Sequence, residues 1–236
     1  MFCRHISCSF TTAILFLLIL LLSFAQPAPA KNYHCQTAEE IQSAFDHAEP
    51  GDSITIAPGE YEGDKNSNPH QNGFFEAYND GTDNSPIVVK SENPEEPAVL
   101  KGREIEYGYG LYITGDHWEL RNLKIETVQK GIMLDGGNNN LISRCEISNI
   151  GDEGVHFRDG SSNNIIEKSS VYNTGNYQPG YGEGIYVGSA SSHWNSYEKE
   201  CNNNLITENK IGPNVTAEHI DIKEGTTNTI AEGKHP

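Results

Sequence analysis

Residues Lys130–Ile147 read KGIMLDGGNNNLISRCEI, and the same phrase returns three more times. It is EGVHFRDGSSNNIIEKSSV from Glu153, EGIYVGSA from Glu183 with NNNLITENKI from Asn202, and EHIDIKEGTTNTIAEG from Glu218. Each copy is a short alternating strand, a small polar turn rich in Asn, and a second apolar pair. A phrase recurring at this period is one coil of a solenoid, in which no single repeat can bury its own apolar face. Equivalent residues of successive coils then lie about 4.8 Å apart, the strand spacing within a sheet. Chemistry must therefore be sought down columns of residues.

The columns follow from aligning the copies. Gly110, Gly131, Gly154, Gly184 and His219 open one strand column, in which Leu111, Ile132, Val155, Ile185 and Ile220 point inward and the residues between them outward. Asn140, Asn164, Asn204 and Asn228 form a second column, placed to hydrogen-bond from coil to coil at a tight turn. The spacings leave no room for helical crossovers. The reading is an all-β, right-handed parallel β-helix with a short N-terminal capping α-helix. That helix is expected over Thr37–Ala48, opened by a capping box at Thr37 and Glu40 and closed by Pro50-Gly51. It would plug the first coil, whose strand edges and core are otherwise bare. Strands are expected at Ser53–Ile56 and Pro86–Lys90, separated by a long polar loop, Gly59–Ser85.

Arg4 followed by the apolar run Ala13–Phe24 and Ala28-Pro29-Ala30 has the form of a secretory leader, residues 1–30, which makes 31–236 the mature domain. Nothing after it is apolar enough to cross a membrane, so the expectation is a secreted, extracellular monomer. The formal net charge is −17, which excludes nucleic acid as the natural partner. Cys35, Cys145 and Cys201 remain in the mature part, with no zinc-type spacing. Cys145 falls in the column of Leu123 and is read as a core thiol, while the pairing of the other two stays open. Asn214-Val215-Thr216 is a glycosylation sequon.

The outward side of the strand column changes character along the solenoid. Early coils show Tyr112, Thr114, Met133 and Asp135; the last three show Glu153, His156 and Arg158, then Glu183 and Tyr186, then Glu218, Asp221 and Lys223. Stacked carboxylates about 5 Å apart repel by roughly 3 kcal/mol at an effective dielectric of 20. Such a column is stable when splayed into water, when paired with His156, Arg158 and Lys223, or when it shares a cation, and an all-oxygen donor set favours Ca²⁺. Extra residues before and after Ile185–Val187 make walls for a groove and carry Tyr177, Tyr181, Trp194 and Tyr197, whose ring faces suit the C–H faces of sugars.

These residues carry a family resemblance. The entry AEPGDSITIAPGEY at Ala48–Tyr61, the segment GTDNSPIVVKS at Gly81–Ser91 and Glu218-His-Ile-Asp-Ile-Lys223 resemble the chondroitinase B and alginate lyase family, within the pectate-lyase-like β-helix superfamily. The resemblance implies a Ca²⁺-dependent lyase of acidic polysaccharides. Glu218 would be a metal ligand and Lys223 the base, with Glu183 a second ligand by stacking and Asp221 either a ligand or a salt-bridge partner. Glu153, Arg158, Tyr181 and Trp194 would bind substrate. The family's acid is an Arg on the coil after the Lys. Here no Arg follows Arg158, and the next coil is only begun at Ala231–Pro236. The expectation is therefore a copy lacking C-terminal coils, with Tyr186 or His156 in the donor's place. A non-catalytic glycan-binding β-helix and a uronate C5-epimerase are the rival readings, and the fold alone does not choose among them.

Overall fold

The structure, a computed structural model, describes residues 29–232. The leader expected at residues 1–30 lies almost wholly outside them. Within the described residues no helix is long and apolar enough to cross a membrane.

Three parallel sheets wind into one solenoid of eight, six and six strands. The sheet that matters for function stacks Gly73–Ala77, Tyr109–Ile113, Lys130–Asp135, Val155–Arg158, Ile185–Val187 and Ile220–Ile222. Its register pairs Ile132 with Val155, Val155 with Ile185, and Ile185 with Ile220. The aligned strand column is thus a physical column. Leu111, Ile113, Ile132, Leu134, Val155, Phe157, Ile185 and Val187 are all buried and form part of one continuous core. Each such side chain taken from water contributes about 1.5–3 kcal/mol. Period-2 alternation leaves the other side of every strand facing outward.

The Asn column is a ladder of charge-neutral clamps. The side-chain oxygen of Asn140 accepts from Trp118 N, that of Asn164 from Asn140 N, and that of Asn204 from Asn164 N, at 2.7–2.9 Å. Asn228 does not extend it. Leu205 pairs with Ile230, so Thr229 stands on the Asn204 position and Asn228 joins the neighbouring column of Asn139, Asn163 and Asn203. Those four residues all adopt positive φ, between 56° and 59°, a left-handed turn that Asn tolerates better than most side chains.

The N-terminal helix spans Ala38–His47, with Thr37 accepting from Glu40 N as its cap. Its plug function is visible at Gln42. The side-chain amide donates to Glu76 O and accepts from Glu76 N, both at 2.9 Å, which satisfies the backbone edge of strand Gly73–Ala77. That strand corrects the expected loop at Gly59–Ser85, which also contains strand Glu60–Glu62. Gly73–Ala77 is buried throughout, and the Glu76 carboxylate is held by Asn72 N, Gly73 N and the Tyr78 hydroxyl. A charged residue at a fully enclosed position hid the strand from a hydropathy pattern. The expected strand at Pro86–Lys90 starts one residue later, at Ile87–Ser91, since Pro cannot donate to a ladder. Cys35, Cys145 and Cys201 are all free and buried.

Candidate active-site groove

A groove of about 390 Å³ crosses the outer face of the last coils, from Lys130 at one end to Lys223 at the other. Residues Asn176–Gly182 and Ser189–Cys201 form its walls, contributing Tyr181, His193 and Tyr197 to the lining. Its floor is built from two outward columns. One runs Met133, His156, Tyr186, Asp221 by direct strand register. The other runs Lys130, Glu153, Glu183, Glu218, where Gly131 N bonds Glu153 O, Gly154 N bonds Glu183 O and Gly184 N bonds Glu218 O.

Glu183, Glu218 and Asp221 come together: each offers a carboxylate oxygen, and the three oxygens lie within 4.8 Å of one another. Glu183 is only 6% exposed, and its Oε2 is buried with no hydrogen-bond partner among the described residues. Burial raises its pKa, and the carboxylates of Glu153, Asp221 and Glu218 push the same way. An enclosed anion with an orphan oxygen, facing two further carboxylates, has the donor chemistry of a hard-cation site. These residues fit Ca²⁺.

Lys223 Nζ lies 2.6 Å from Asp221 Oδ2 and 5.1 Å from the centre of the Tyr186 ring. The Asp221 hydrogen bond raises the Lys223 pKa, so the free protein holds it as an ammonium. Burial lifts the Tyr186 phenol to about 12, which keeps its proton available to give.

His156, the other donor expected from the sequence, is already engaged. Its Nε2 bonds Gly188 O at 3.0 Å, and desolvation pulls its pKa well below the ordinary histidine value. The ring is therefore neutral, its one N–H engages a backbone carbonyl, and its edge packs on Tyr186 at 4.3 Å. Its place is that of a support for the tyrosine.

Glu153 and Arg158 line the groove, each held in place by a charged partner. Glu153 pairs with Lys130 and faces His156 Nδ1 at 3.6 Å. Arg158 makes a two-pronged bond to Asp135, 2.7 Å on each side, and its guanidinium lies 4.2 Å from the Tyr197 ring centre. Tyr181 stands exposed on the rim. Trp194 does not line the groove: its Nε1 donates to Ser189 O and its ring packs with Lys199 in a neighbouring hollow. It braces the wall from behind. Asn214 is exposed, with Nδ2 bonded to Asn173 Oδ1 at 2.8 Å.

Sequence reasoning passed over Lys130, although it precedes Gly131 just as the three glutamates precede their aligned positions. That column offset was a sufficient signal. It also passed over His193 and Ser189, which nothing in the repeat distinguishes.

The groove thus gathers an acidic cluster, a lysine and a phenol on the outer face of a parallel β-helix. The chain belongs to the Pel9A-like right-handed β-helix family, whose model matches residues 25–209. It is similar to the crystal structure of an alginate lyase from Paenibacillus sp. str. FPU-7, with 48% identity and a TM-score of 0.80 over 85% of this chain and 64% of that one. The chain thus spans just under two thirds of that enzyme's length. It shares its fold with a rhamnogalacturonan lyase at 17% identity and TM-score 0.63, over 85% of this chain and 56% of that one. It also shares it with the pectate lyase Pel9A at 18% identity and TM-score 0.60, over 78% and 48%. No curated protein matches the chain.

Proposed function

We propose that this protein is a secreted, Ca²⁺-assisted polysaccharide lyase that cleaves uronate-containing chains by β-elimination, with alginate the first substrate to test. The observation that carries the reading is the buried, unpartnered Glu183 oxygen grouped with Glu218 and Asp221 beside Lys223. The similarity to the Paenibacillus alginate lyase supports the choice of polymer. The leader-like run Ala13–Phe24 supports export.

Glu183, Glu218 and Asp221 would hold the ion. Bound there, Ca²⁺ would neutralise the sugar carboxylate, stabilise the charge that builds on it, and draw Asp221 away from Lys223. Lys223 Nζ takes the proton from the carbon α to the sugar carboxylate. The electron pair of that C–H bond becomes a carbon–carbon double bond as the glycosidic C–O bond at the β carbon breaks. The departing oxygen takes the Tyr186 hydroxyl proton. Lys223, beside the Tyr186 ring, can then return its proton to the phenolate, and the site is restored. His156 keeps the Tyr186 ring upright, and Lys130 keeps Glu153 compensated at the groove's far end.

Release of products that absorb ultraviolet light at the new double bond, from alginate or pectate, tests the reading. Activity that vanishes with chelator and in Lys223→Ala supports it. A second reading draws on the Lys223–Asp221 ion pair itself, which holds the base protonated: a glycan-binding β-helix without turnover. Polymer binding with no unsaturated product under any metal condition would favour that reading.

A further inference from the structure

The end of the groove remote from Lys223 presents an excess of hydrogen-bond donors. Arg158 carries five N–H donors, of which Asp135 takes two, leaving three among the described residues. Lys130 carries three, of which Glu153 takes one, leaving two; Asp152 at 3.9 Å is an ion pair beyond hydrogen-bond reach. Asp135 also accepts from the Tyr112 hydroxyl at 2.8 Å. Both cations are immobilised as well. Their side chains are 14% and 17% exposed, and the Tyr197 ring centre lies 4.2 Å from the guanidinium carbon. Next to Lys130 in strand register stands Tyr109, partly exposed and stacked on Tyr112 with ring centres 5.8 Å apart and planes at 30°.

Fixed donors without acceptors, flanked by a stacked phenol face, fit a ligand rich in oxygen acceptors with one apolar C–H face, which describes a uronate ring. Because each cation is balanced by its own carboxylate, the strip recognises by placed hydrogen bonds more than by net charge. Each rung of a parallel sheet spans about 4.8 Å, and strand register puts Arg158 two rungs, Lys130 three and Tyr109 four from the rung of Lys223. One sugar cannot reach both. We infer that Lys130, Arg158 and Tyr109 form a separate uronate-binding subsite, holding a sugar of the same acidic chain remote from the bond that breaks. The inference rests on the functional reading above, and it makes this strip set the minimum chain length that binds well.

Calorimetric titration of size-graded oligoalginates and oligogalacturonates into the full chain carrying Lys223→Met tests it without turnover. With the strip intact, affinity rises once an oligomer is long enough to span both ends of the groove. Lys130→Met and Tyr109→Ala each remove that gain, weakening the long oligomer about tenfold relative to the short one. Because Lys130→Met strands the Glu153 carboxylate, the pair Lys130→Met with Glu153→Gln is measured beside it, and melting curves confirm folding. Equal weakening of short and long oligomers, or of neither, overturns the subsite. Absence of binding to both series with the strip intact overturns the functional reading, and the subsite with it.

Discussion

Asp221 Oδ2 and Lys223 Nζ meet at 2.6 Å on the last described rung of the site sheet, so the residue proposed as base is tied to a residue proposed as metal ligand. The cation would compete with the lysine for the same carboxylate. Its arrival would loosen the contact that keeps Lys223 protonated. On the proposed function, metal binding and base activation would be one structural event.

Ca²⁺ titration of the purified protein is expected to raise its melting temperature, because a ligand that binds only the folded state stabilises it. Glu183→Gln should abolish that rise. In chelator, the same variant should melt higher than the wild type, since it removes a buried charge that burial and three neighbouring carboxylates disfavour. Asp221→Asn should weaken Ca²⁺ about tenfold or more and change chelated stability by less than about 1 kcal/mol, as the ion pair is partly exposed. A Ca²⁺-induced rise preserved in Glu183→Gln would remove these three residues as the site.

Tyr186→Phe deletes one oxygen and leaves the ring on His156 and under Lys223. With Tyr186 as proton donor, kcat should fall by about 10²–10⁴-fold with KM little changed. Stability should hold, because no partner of the phenol is stranded. Steady-state rates followed through the unsaturated product decide it, and a kcat within threefold of wild type (about 0.7 kcal/mol) excludes this donor.

The repeat made the solenoid and the carboxylate column legible, since aligned copies put Glu153, Glu183 and Glu218 on one line without any knowledge of the fold. The stacking of Glu183 on Glu218 is the direct product of that alignment. Three things were not legible. Strand Gly73–Ala77 hides in a polar stretch because Glu76 is satisfied by local backbone amides that no composition reveals. The neutral state of His156 comes from its burial, and its orientation from a bond to the Gly188 carbonyl one coil on. Trp194 turned from the groove because its indole N–H found Ser189 O within the same loop, and loop-internal bonds follow no period. The solenoid's rhythm fixes where a side chain starts, and short-range hydrogen bonding decides what it does there.

Asn164→Ala tests the ladder that holds the coils in register. It strands the backbone N–H of Asn140 and the carbonyl of Gly137, both now bonded to the Asn164 amide at 2.8 and 3.1 Å. The residue is fully buried, so water cannot replace it. The expected loss is about 2–4 kcal/mol in denaturant unfolding. A loss below about 0.5 kcal/mol would mean the turns hold themselves.

The pH dependence of stability should carry a signature of Asp152. This carboxyl is 2% exposed, accepts from Gln129 at 2.9 Å, and has Oδ1 buried without a partner. Burial raises its pKa to about 6, from an ordinary value of 3.8. In the intervening window the folded state therefore binds a proton that the unfolded state has released. Stability from this group is complete below the unfolded pKa and falls as pH rises through the folded one. The deficit reached above about pH 6 is on the order of 1–3 kcal/mol. Asp152→Asn keeps an oxygen for Gln129 and cannot ionise. Its melting temperature should match the wild type near about pH 4 and exceed it at about pH 7. Parallel curves for the two proteins across that window would show that Lys130, 3.9 Å away, already compensates the ionised form.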